Sequence, residues 1–293
     1  MSSKNYQYVA YIDEAGDPGI DRVKPIDPKG SSEWLIMSGV LIRASNEPLV
    51  TAWDKQFRKV GGRQPSHQIH YRFLQDHQKV AVCEHLAMLP VRAFVVASNK
   101  KNMRRYRNDA AQRASEQLLG RLQSHNWMYH WLFRLLLERM SDYAVRKSAS
   151  EGNPSATIKL EISRCGGIYY RELFAYLAQL KRHDIQGTQH LKQGLIRWPA
   201  IDFDLMNHFL HKTRSGLVLP DIVASAFFGA CDRVDRGQPP NPMAAFKLDR
   251  VMARRSGRQE DFPVEYGVKL FPSFDDAELD HEQARIFQHS GYK

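Results

Sequence analysis

The 293-residue sequence lacks the features of several specialised protein classes. No apolar run approaches the roughly 20 residues that span a bilayer. The first residues, Met-Ser-Ser-Lys-Asn, hold no apolar signal core, so we expect a cytoplasmic protein without a membrane partner. The three cysteines, Cys83, Cys165 and Cys231, are far apart and form no Cys-x-x-Cys pair, which predicts free, buried thiols.

Three motifs of common enzyme classes are also missing. The sequence contains no Gly-x-Ser-x-Gly elbow, no Gly-x-Gly-x-x-Gly fingerprint and no Gly-x4-Gly-Lys-Ser/Thr loop. These absences disfavour a serine hydrolase of that type, a dehydrogenase and a P-loop NTPase. With 43% hydrophobic and 25% charged residues, the chain has the composition of a globular protein. Its length fits either two domains or one elaborated α/β domain.

The charge of the chain is strongly positive, at +10. Such a surplus attracts polyanions, of which nucleic acid is the commonest in a cytoplasm. The sequence has one dense basic cluster, which we consider as a set of contacts to a nucleic-acid backbone: Lys100, Lys101, Arg104, Arg105 and Arg107. A solvated helix face without any partner explains the same cluster equally well.

Three acidic residues follow the first apolar stretch of the chain. Residues 6–12 are rich in aromatic and β-branched side chains and stop at Gly-Asp-Pro-Gly, which predicts a buried strand ending in a tight turn. Asp13, Glu14 and Asp17 lie at this end. Two interpretations are open: the carboxylates bind a divalent metal, or Asp13 and Asp17 only bond to the backbone of the turn. Alternation along the strand directs Glu14 to the face opposite Asp13.

Further strands and helices are predicted from the spacing of apolar residues. The strands are 34–42, 92–98, 157–162 and 195–203, the last interrupted by Pro199 and so expected at an edge. The helices are 47–60, 76–89, 109–147, 169–181 and one that starts near Pro220. Three strands, helices, a strand, a helix, a strand and a helix form the order of a ribonuclease H-like fold. We therefore expect a mixed five-stranded sheet in the order 3-2-1-4-5 with flanking helices.

In a ribonuclease H-like fold, acids from the first strand, the fourth strand and a late helix meet. The corresponding residues here are Asp13, Glu161 and Asp221. The same positions carry a resemblance to the family called domain of unknown function 3800. Its opening motif is matched by Tyr11-Ile-Asp-Glu-Ala-Gly-Asp17, its middle strand by Leu160-Glu-Ile162 and its late motif by Gly216-Leu-Val-Leu-Pro-Asp-Ile-Val-Ala224.

The resemblance covers roughly residues 6–235 and departs from the late motif at two positions. Val218 replaces a glutamine and Pro220 an alanine, while Asp221 is kept. We divide the chain into a ribonuclease H-like domain, 1–238, with a helical insertion around 101–150, and a C-terminal appendage, 239–293.

The resemblance implies a nuclease that hydrolyses phosphodiester bonds in RNA or DNA with Mg²⁺ or Mn²⁺. Asp13 would bridge two ions about 3.5–4 Å apart, and Glu161 and Asp221 would hold one each. Glu14 or Asp17 would be auxiliary, unless Asp17 only fixes the turn, and His70 would shuttle protons if it faces the acids. The alternative function is a catalytically silent ribonuclease H-like module that binds nucleic acid or a partner protein.

Overall fold

The computed structural model describes residues 5–62, 69–103, 126–188, 195–232 and 239–293. This part of the chain is an α/β fold with one six-stranded mixed sheet and seven α-helices. The strands are β1 Tyr8–Ala15, β2 Trp34–Arg43, β3 Val91–Asn99, β4 Ile158–Ser163, β5 Ile201–Phe209 and β6 Val268–Phe271. The helices are α1 Val50–Val60, α2 Asp76–Ala87, α3 Trp127–Ser150, α4 Tyr170–Ile185, α5 Val218–Cys231, α6 Met243–Phe246 and α7 His281–His289.

Strand β1 lies inside the sheet, whose order is β5-β4-β1-β2-β3-β6. It pairs antiparallel with β2 and parallel with β4, and β5 continues the parallel part beside β4. The predicted order 3-2-1-4-5 is confirmed, with a sixth strand added beside β3. Because β1, β4 and β5 run in the same direction, their carboxyl ends meet at one edge, where open α/β sheets bind ligands. None of the described helices is both long and apolar enough to cross a membrane.

The fifth strand was predicted in the wrong place. A short 3₁₀ helix, Trp198–Ala200, occupies part of the predicted range 195–203, and the strand runs from Ile201 to Phe209. Pro199 has no backbone N–H to donate to a ladder, so the chain turns there before the strand begins. An irregularity then sets Ile158 opposite Ile201 but Leu160 opposite Met206, which breaks the simple alternation that sequence analysis relies on.

The C-terminal residues, which the sequence predicts as an appendage, contribute to the sheet and to its core. Strand β6 pairs parallel with β3. The ring of Phe287, on α7, stacks on Trp34 with centroids 5.8 Å apart. Buried Glu33 accepts hydrogen bonds at Oε1 from Asn99 Nδ2 and from Gln283 Nε2 of α7, both at 3.1 Å. These contacts fix α7 against the strands.

The sheet separates two apolar cores, and alternation along β1 assigns its side chains to them. Val9 and Tyr11 face the core formed with α5, α2 and α7, whereas Ala10 and Ile12 face the core formed with α3 and α4. Asp13 continues the first series, so its side chain lies on the α5 face.

All three cysteines are free thiols, as predicted. Cys83 and Cys231 are buried, as predicted, whereas Cys165, which was also predicted to be buried, is only partly buried.

Gly216→Ala is expected to lower the free energy of unfolding by about 1–3 kcal/mol, because it overpacks the junction between β1 and α5. A Cβ atom at this position would lie 2.1 Å from Cε1 of buried Tyr11. Denaturant unfolding measures the change. Gly166→Ala is the control, since a Cβ there meets nothing within 4 Å. Equal stability of the Gly216 variant and the wild type would contradict this packing.

Candidate functional site

A cleft of about 560 Å³ lies at the carboxyl end of β1. Its acidic and imidazole side chains come from four separate segments: β1, the segment before α2, the turn after β5, and α5. The four residues at its centre are Asp13, His70, His211 and Asp221. They lie where the parallel strands end, as expected for a ligand site in an α/β sheet.

Asp13 is the contribution of β1. Its carboxylate is buried, at 7% exposure, and Oδ1 accepts a hydrogen bond from the backbone N–H of Glu14 at 3.0 Å. Oδ2 lies 3.3 Å from Nδ1 of His211. A buried carboxylate is stable only beside a positive charge or several donors, and His211 supplies the charge when it is protonated.

Asp221 lies in the first turn of α5, which a hydrogen bond ties to β2. The Ser38 hydroxyl donates to the carbonyl oxygen of Pro220 at 2.7 Å. The Asp221 carboxylate accepts from the backbone N–H of Tyr71 at 3.2 Å and from the Ser225 hydroxyl at 3.1 Å. Burial raises the pKa of Asp221 to about 6, and the charge of Asp13 contributes in the same direction. A cation beside this carboxyl group would favour its charged form.

Two imidazoles complete the cluster. The rings of His70 and His211 have centroids 5.0 Å apart, and one ligand atom each from His70, His211 and Asp221 lie within 4.8 Å of one another. Burial lowers the pKa of His70, and the neighbouring His211 lowers it further. Burial also opposes the charged form of His211, but the hydrogen bond to Asp13 and the charge of Asp221 outweigh it and raise its pKa. Three donors at this spacing could hold one metal ion.

His211 was not predicted from the sequence. It follows β5 directly, in a 3₁₀ helix His211–Thr213. Since the sequence placed the fifth strand at 195–203, residue 211 did not stand at a strand end. Had the strand been assigned to Ile201–Phe209, its parallel direction would have brought His211 to the edge that holds Asp13. His70, in contrast, faces the acids, as its predicted role requires.

Glu14 points to the face opposite Asp13, as alternation predicts. The hydroxyl of Tyr129, on α3, donates to its Oε2 at 3.4 Å. Burial raises the pKa of Glu14 to about 8, and the adjacent Asp13 contributes to the shift. Burial therefore favours the protonated form of this carboxyl group. It lines the cleft but is a poor cation ligand in that form.

Glu161 does not join the other predicted ligands. It pairs in register with Tyr11, two residues before Asp13 and therefore about 7 Å behind it along the sheet. Its Oε1 lies 2.7 Å from Nζ of Lys159 and its Oε2 3.9 Å from Nε of Arg214. Among the described residues that line the cleft, Glu161 is absent. The structure thus assigns Glu161 to a neighbouring ion-pair network. The sequence could not predict this position, because it does not show the register of β4 against β1.

Asp17 fixes the turn after β1, the second of its two predicted roles. Its Oδ1 accepts from the backbone N–H of Gly19 at 2.9 Å, and its Oδ2 accepts from that of Ser32 at 2.8 Å. Lys100 is bound to the same turn and is fully buried. Its Nζ donates to the carbonyl oxygens of Asp17 and Gly19 at 2.7 and 2.8 Å and to Ser31 Oγ at 3.0 Å. The structure therefore excludes Lys100 from the predicted nucleic-acid contacts.

Lys101 is also engaged inside the protein. Its Nζ lies 3.1 Å from Oε1 of buried Glu33, and its side chain is 22% exposed. This ion pair offsets the cost of burying the Glu33 carboxylate. The other members of the predicted basic cluster, Arg104, Arg105 and Arg107, lie outside the described residues.

Other basic side chains line the cleft. Arg72 and Lys79 come from the segment around the start of α2, and Arg164 follows β4. Both arginines are exposed and Lys79 is half-buried. The cleft therefore combines an acidic centre with basic side chains around it, an arrangement that suits an anionic ligand bridged to the carboxylates by a cation.

Without metal, the contribution of Asp221 to the free energy of unfolding is expected to fall as the pH rises from about 4 to about 6. The unfolded Asp221 loses its proton near 3.8, whereas the folded residue keeps it until about 6. The stability contributed by this group is thus complete below 3.8 and lost as the pH rises through 6. Because the cleft is open to solvent, we expect a change of about 1–2 kcal/mol.

Denaturant unfolding in EDTA across this pH range tests the expectation. Asp221→Asn removes the titrating group. The variant's free energy of unfolding is therefore expected to lack the change with pH that Asp221 causes in the wild type. Identical pH profiles for this variant and the wild type would show that Asp221 has an ordinary pKa.

Comparison of the chain with protein-family models, with curated proteins and with solved structures finds no match in any of the three.

Proposed function

We propose that the protein is a metal-dependent hydrolase that cleaves phosphodiester bonds in nucleic acid. The observation that carries the proposal is the meeting of His70, His211 and Asp221 within 4.8 Å, with Asp13 bonded to His211, at the carboxyl end of the parallel strands. The proposal also agrees with the resemblance of the opening motif, Tyr11 to Asp17, to that of a ribonuclease H-like family.

The donor set consists of two carboxylates and two imidazoles. Carboxylates suit Mg²⁺ and Mn²⁺, whereas imidazole suits the transition metals, so Mn²⁺ fits the mixture better than Mg²⁺ does. A bound ion of this kind supplies a Lewis acid that stabilises negative charge on phosphoryl oxygens and makes bound water acidic. The lowered pKa of His70 favours a neutral ring, which a metal ligand must have. The pKa of His211 is raised, so this ring would have to release its proton when the metal binds.

The side chains around the metal ligands have distinct tasks in this proposal. The hydrogen bonds from Tyr71 and Ser225 hold the Asp221 carboxylate in one orientation. Asp13, which we also propose as a ligand, orients the His211 ring through Nδ1. Arg72 and Arg164 bind the phosphates on either side of the scissile bond, since guanidinium groups match phosphate oxygens in geometry and charge. The proposal does not require Glu161, on the fourth strand, to hold a metal ion.

Incubation of the protein with labelled single-stranded, duplex and hybrid oligonucleotides tests the proposal. Reactions contain Mn²⁺, Mg²⁺ or EDTA. We expect cleavage with Mn²⁺, weaker cleavage with Mg²⁺ and none in EDTA. Cleavage that persists in EDTA would contradict a metal-dependent reaction. Binding that weakens with salt, without cleavage in any metal, would favour the catalytically silent binding module instead.

A further inference from the structure

An aromatic ring stands exposed at the edge of the cleft. Phe73 ends the 3₁₀ helix Tyr71–Phe73 and is 59% exposed. The guanidinium carbon of Arg72 lies 4.6 Å from the centre of its ring. The ring of His70 meets it edge to face, with centroids 6.1 Å apart. The ring is therefore accessible to a ligand that binds in the cleft beside it.

The segment that carries Phe73 is fixed to the proposed metal centre. His70 belongs to the cluster, and the backbone N–H of Tyr71 donates to Asp221. The Tyr71 side chain is buried, at 4% exposure, and anchors the segment in the core. Arg72 lines the cleft while its guanidinium covers the Phe73 ring. The four residues therefore combine a proposed metal ligand, a proposed phosphate-binding cation and an exposed ring within one turn that Tyr71 anchors in the core.

An exposed aromatic ring beside a guanidinium group and a proposed phosphate site is suited to an unpaired nucleotide. Aromatic rings and guanidinium planes are the surfaces on which proteins stack unpaired bases. In a duplex the faces of each base are covered by its neighbours, so a stacking surface beside the scissile phosphate selects a nucleotide that is not paired.

We propose that the cleft takes single-stranded nucleic acid and that Phe73, with Arg72 over its ring, stacks a base next to the phosphate at the metal centre. The inference rests on the proposed function, in which this cleft is the nucleic-acid site. It adds the substrate class and two residues that determine it. The contact is with the base and not with the sugar, so single strands of RNA and of DNA are both accepted.

Binding without turnover tests this inference. Fluorescence anisotropy in EDTA measures the Kd of short single-stranded oligonucleotides of RNA and of DNA, of the same DNA with abasic residues at its centre, and of a duplex. The wild type is expected to bind both single strands more tightly than the duplex or the abasic strand. Phe73→Ala is expected to weaken binding of the single strands about tenfold or more, and to leave binding of the abasic strand unchanged.

Matched variants separate stacking from other effects. Phe73→Tyr keeps the ring and should bind like the wild type, whereas Phe73→Leu keeps apolar bulk without a ring and should bind like Phe73→Ala. Phe262→Ala, which removes a ring that is 61% exposed in the segment before β6, should change nothing. Since Phe73 is exposed, all of these variants are expected to unfold at the wild-type temperature.

The outcomes distinguish this inference from the proposed function. Equal affinity of Phe73→Ala and the wild type for single strands, or tighter binding of the duplex, would overturn the stacking surface even if the protein cleaves phosphodiesters. Base-dependent binding that needs Phe73, together with no cleavage in any metal, would support the stacking surface and refute the hydrolase.

Discussion

Asp13→Asn is expected to reduce metal-dependent cleavage on the order of a thousandfold or more. Removal of one anionic ligand weakens the bound cation, whose stabilisation of phosphoryl charge is worth several kcal/mol. The substitution keeps the shape of the side chain, so the hydrogen bond from the Glu14 backbone N–H is retained. It also removes the negative charge 3.3 Å from His211. Rates with Mn²⁺ in excess, measured for variant and wild type under single-turnover conditions, give the ratio.

Glu161→Gln is the matched control for this prediction. It removes one carboxylate charge from the strand next to β1, but this carboxylate is bound by Lys159 and lies outside the lining of the cleft. We expect a loss smaller than the roughly 10- to 100-fold typical of residues that support metal ligands, because Glu161 is not among the described residues that line the cleft. An equal loss in the two variants would instead give Glu161 the role that the sequence predicts for it.

Lys100→Met is expected to lower the free energy of unfolding by about 3–5 kcal/mol. The lysine is fully buried, and its three donated hydrogen bonds hold the turn that follows β1. Methionine fills a similar volume but leaves the carbonyl oxygens of Asp17 and Gly19 without these donors. Denaturant unfolding at equilibrium measures the loss, and a calorimetric melt should show the transition about ten degrees lower.

Lys55→Met controls for the loss of a positive charge. Lys55 is exposed on α1, so this change should alter stability by less than about 0.5 kcal/mol. The two variants also decide between two roles of Lys100. If Lys100→Met unfolds like the wild type and yet binds nucleic acid more weakly, the residue is a phosphate contact as predicted from the sequence, and its burial in the turn is refuted.

The central strands could be predicted because their residues decide their structure locally. β1 to β4 consist of apolar, β-branched and aromatic runs that stop at turn residues, and the ends of the observed strands differ from the predicted ones by at most three residues. β5 was predicted too early in the sequence, because Pro199 lies in a 3₁₀ helix that precedes the strand. The irregular pairing of β5 with β4 is a long-range contact that the sequence pattern does not show. β6 is four residues long and is stabilised by pairing with a strand far away in sequence.

The sequence predicted those residues of the site whose location follows from the ends of strands and helices alone. Asp13 at the end of β1 and Asp221 at the start of α5 needed no more than element boundaries, and the structure places both in one cleft. Glu161 required the register of β4 against β1, which the period-two pattern does not contain. His211 required the correct end of β5. In each case the missing information was a long-range contact.

The basic cluster shows that the exposure of a charged side chain can also depend on long-range contacts. A lysine in a basic stretch reads as a surface residue because burial of lysine is rare. Lys100 is nevertheless buried, since the turn after β1 offers it three oxygen acceptors at hydrogen-bond distance. Those acceptors come from residues 17–31 and cannot be recognised from the sequence around residue 100.

The binding of Mn²⁺ to the cluster of Asp13, His70, His211 and Asp221 is the central claim, and isothermal titration calorimetry tests it most directly. We expect the wild type to bind Mn²⁺ at a saturable site, Asp221→Asn to lose that binding, and Glu161→Gln to retain it. Absence of binding to the wild type, or equal affinity of Asp221→Asn and the wild type, would contradict the metal centre.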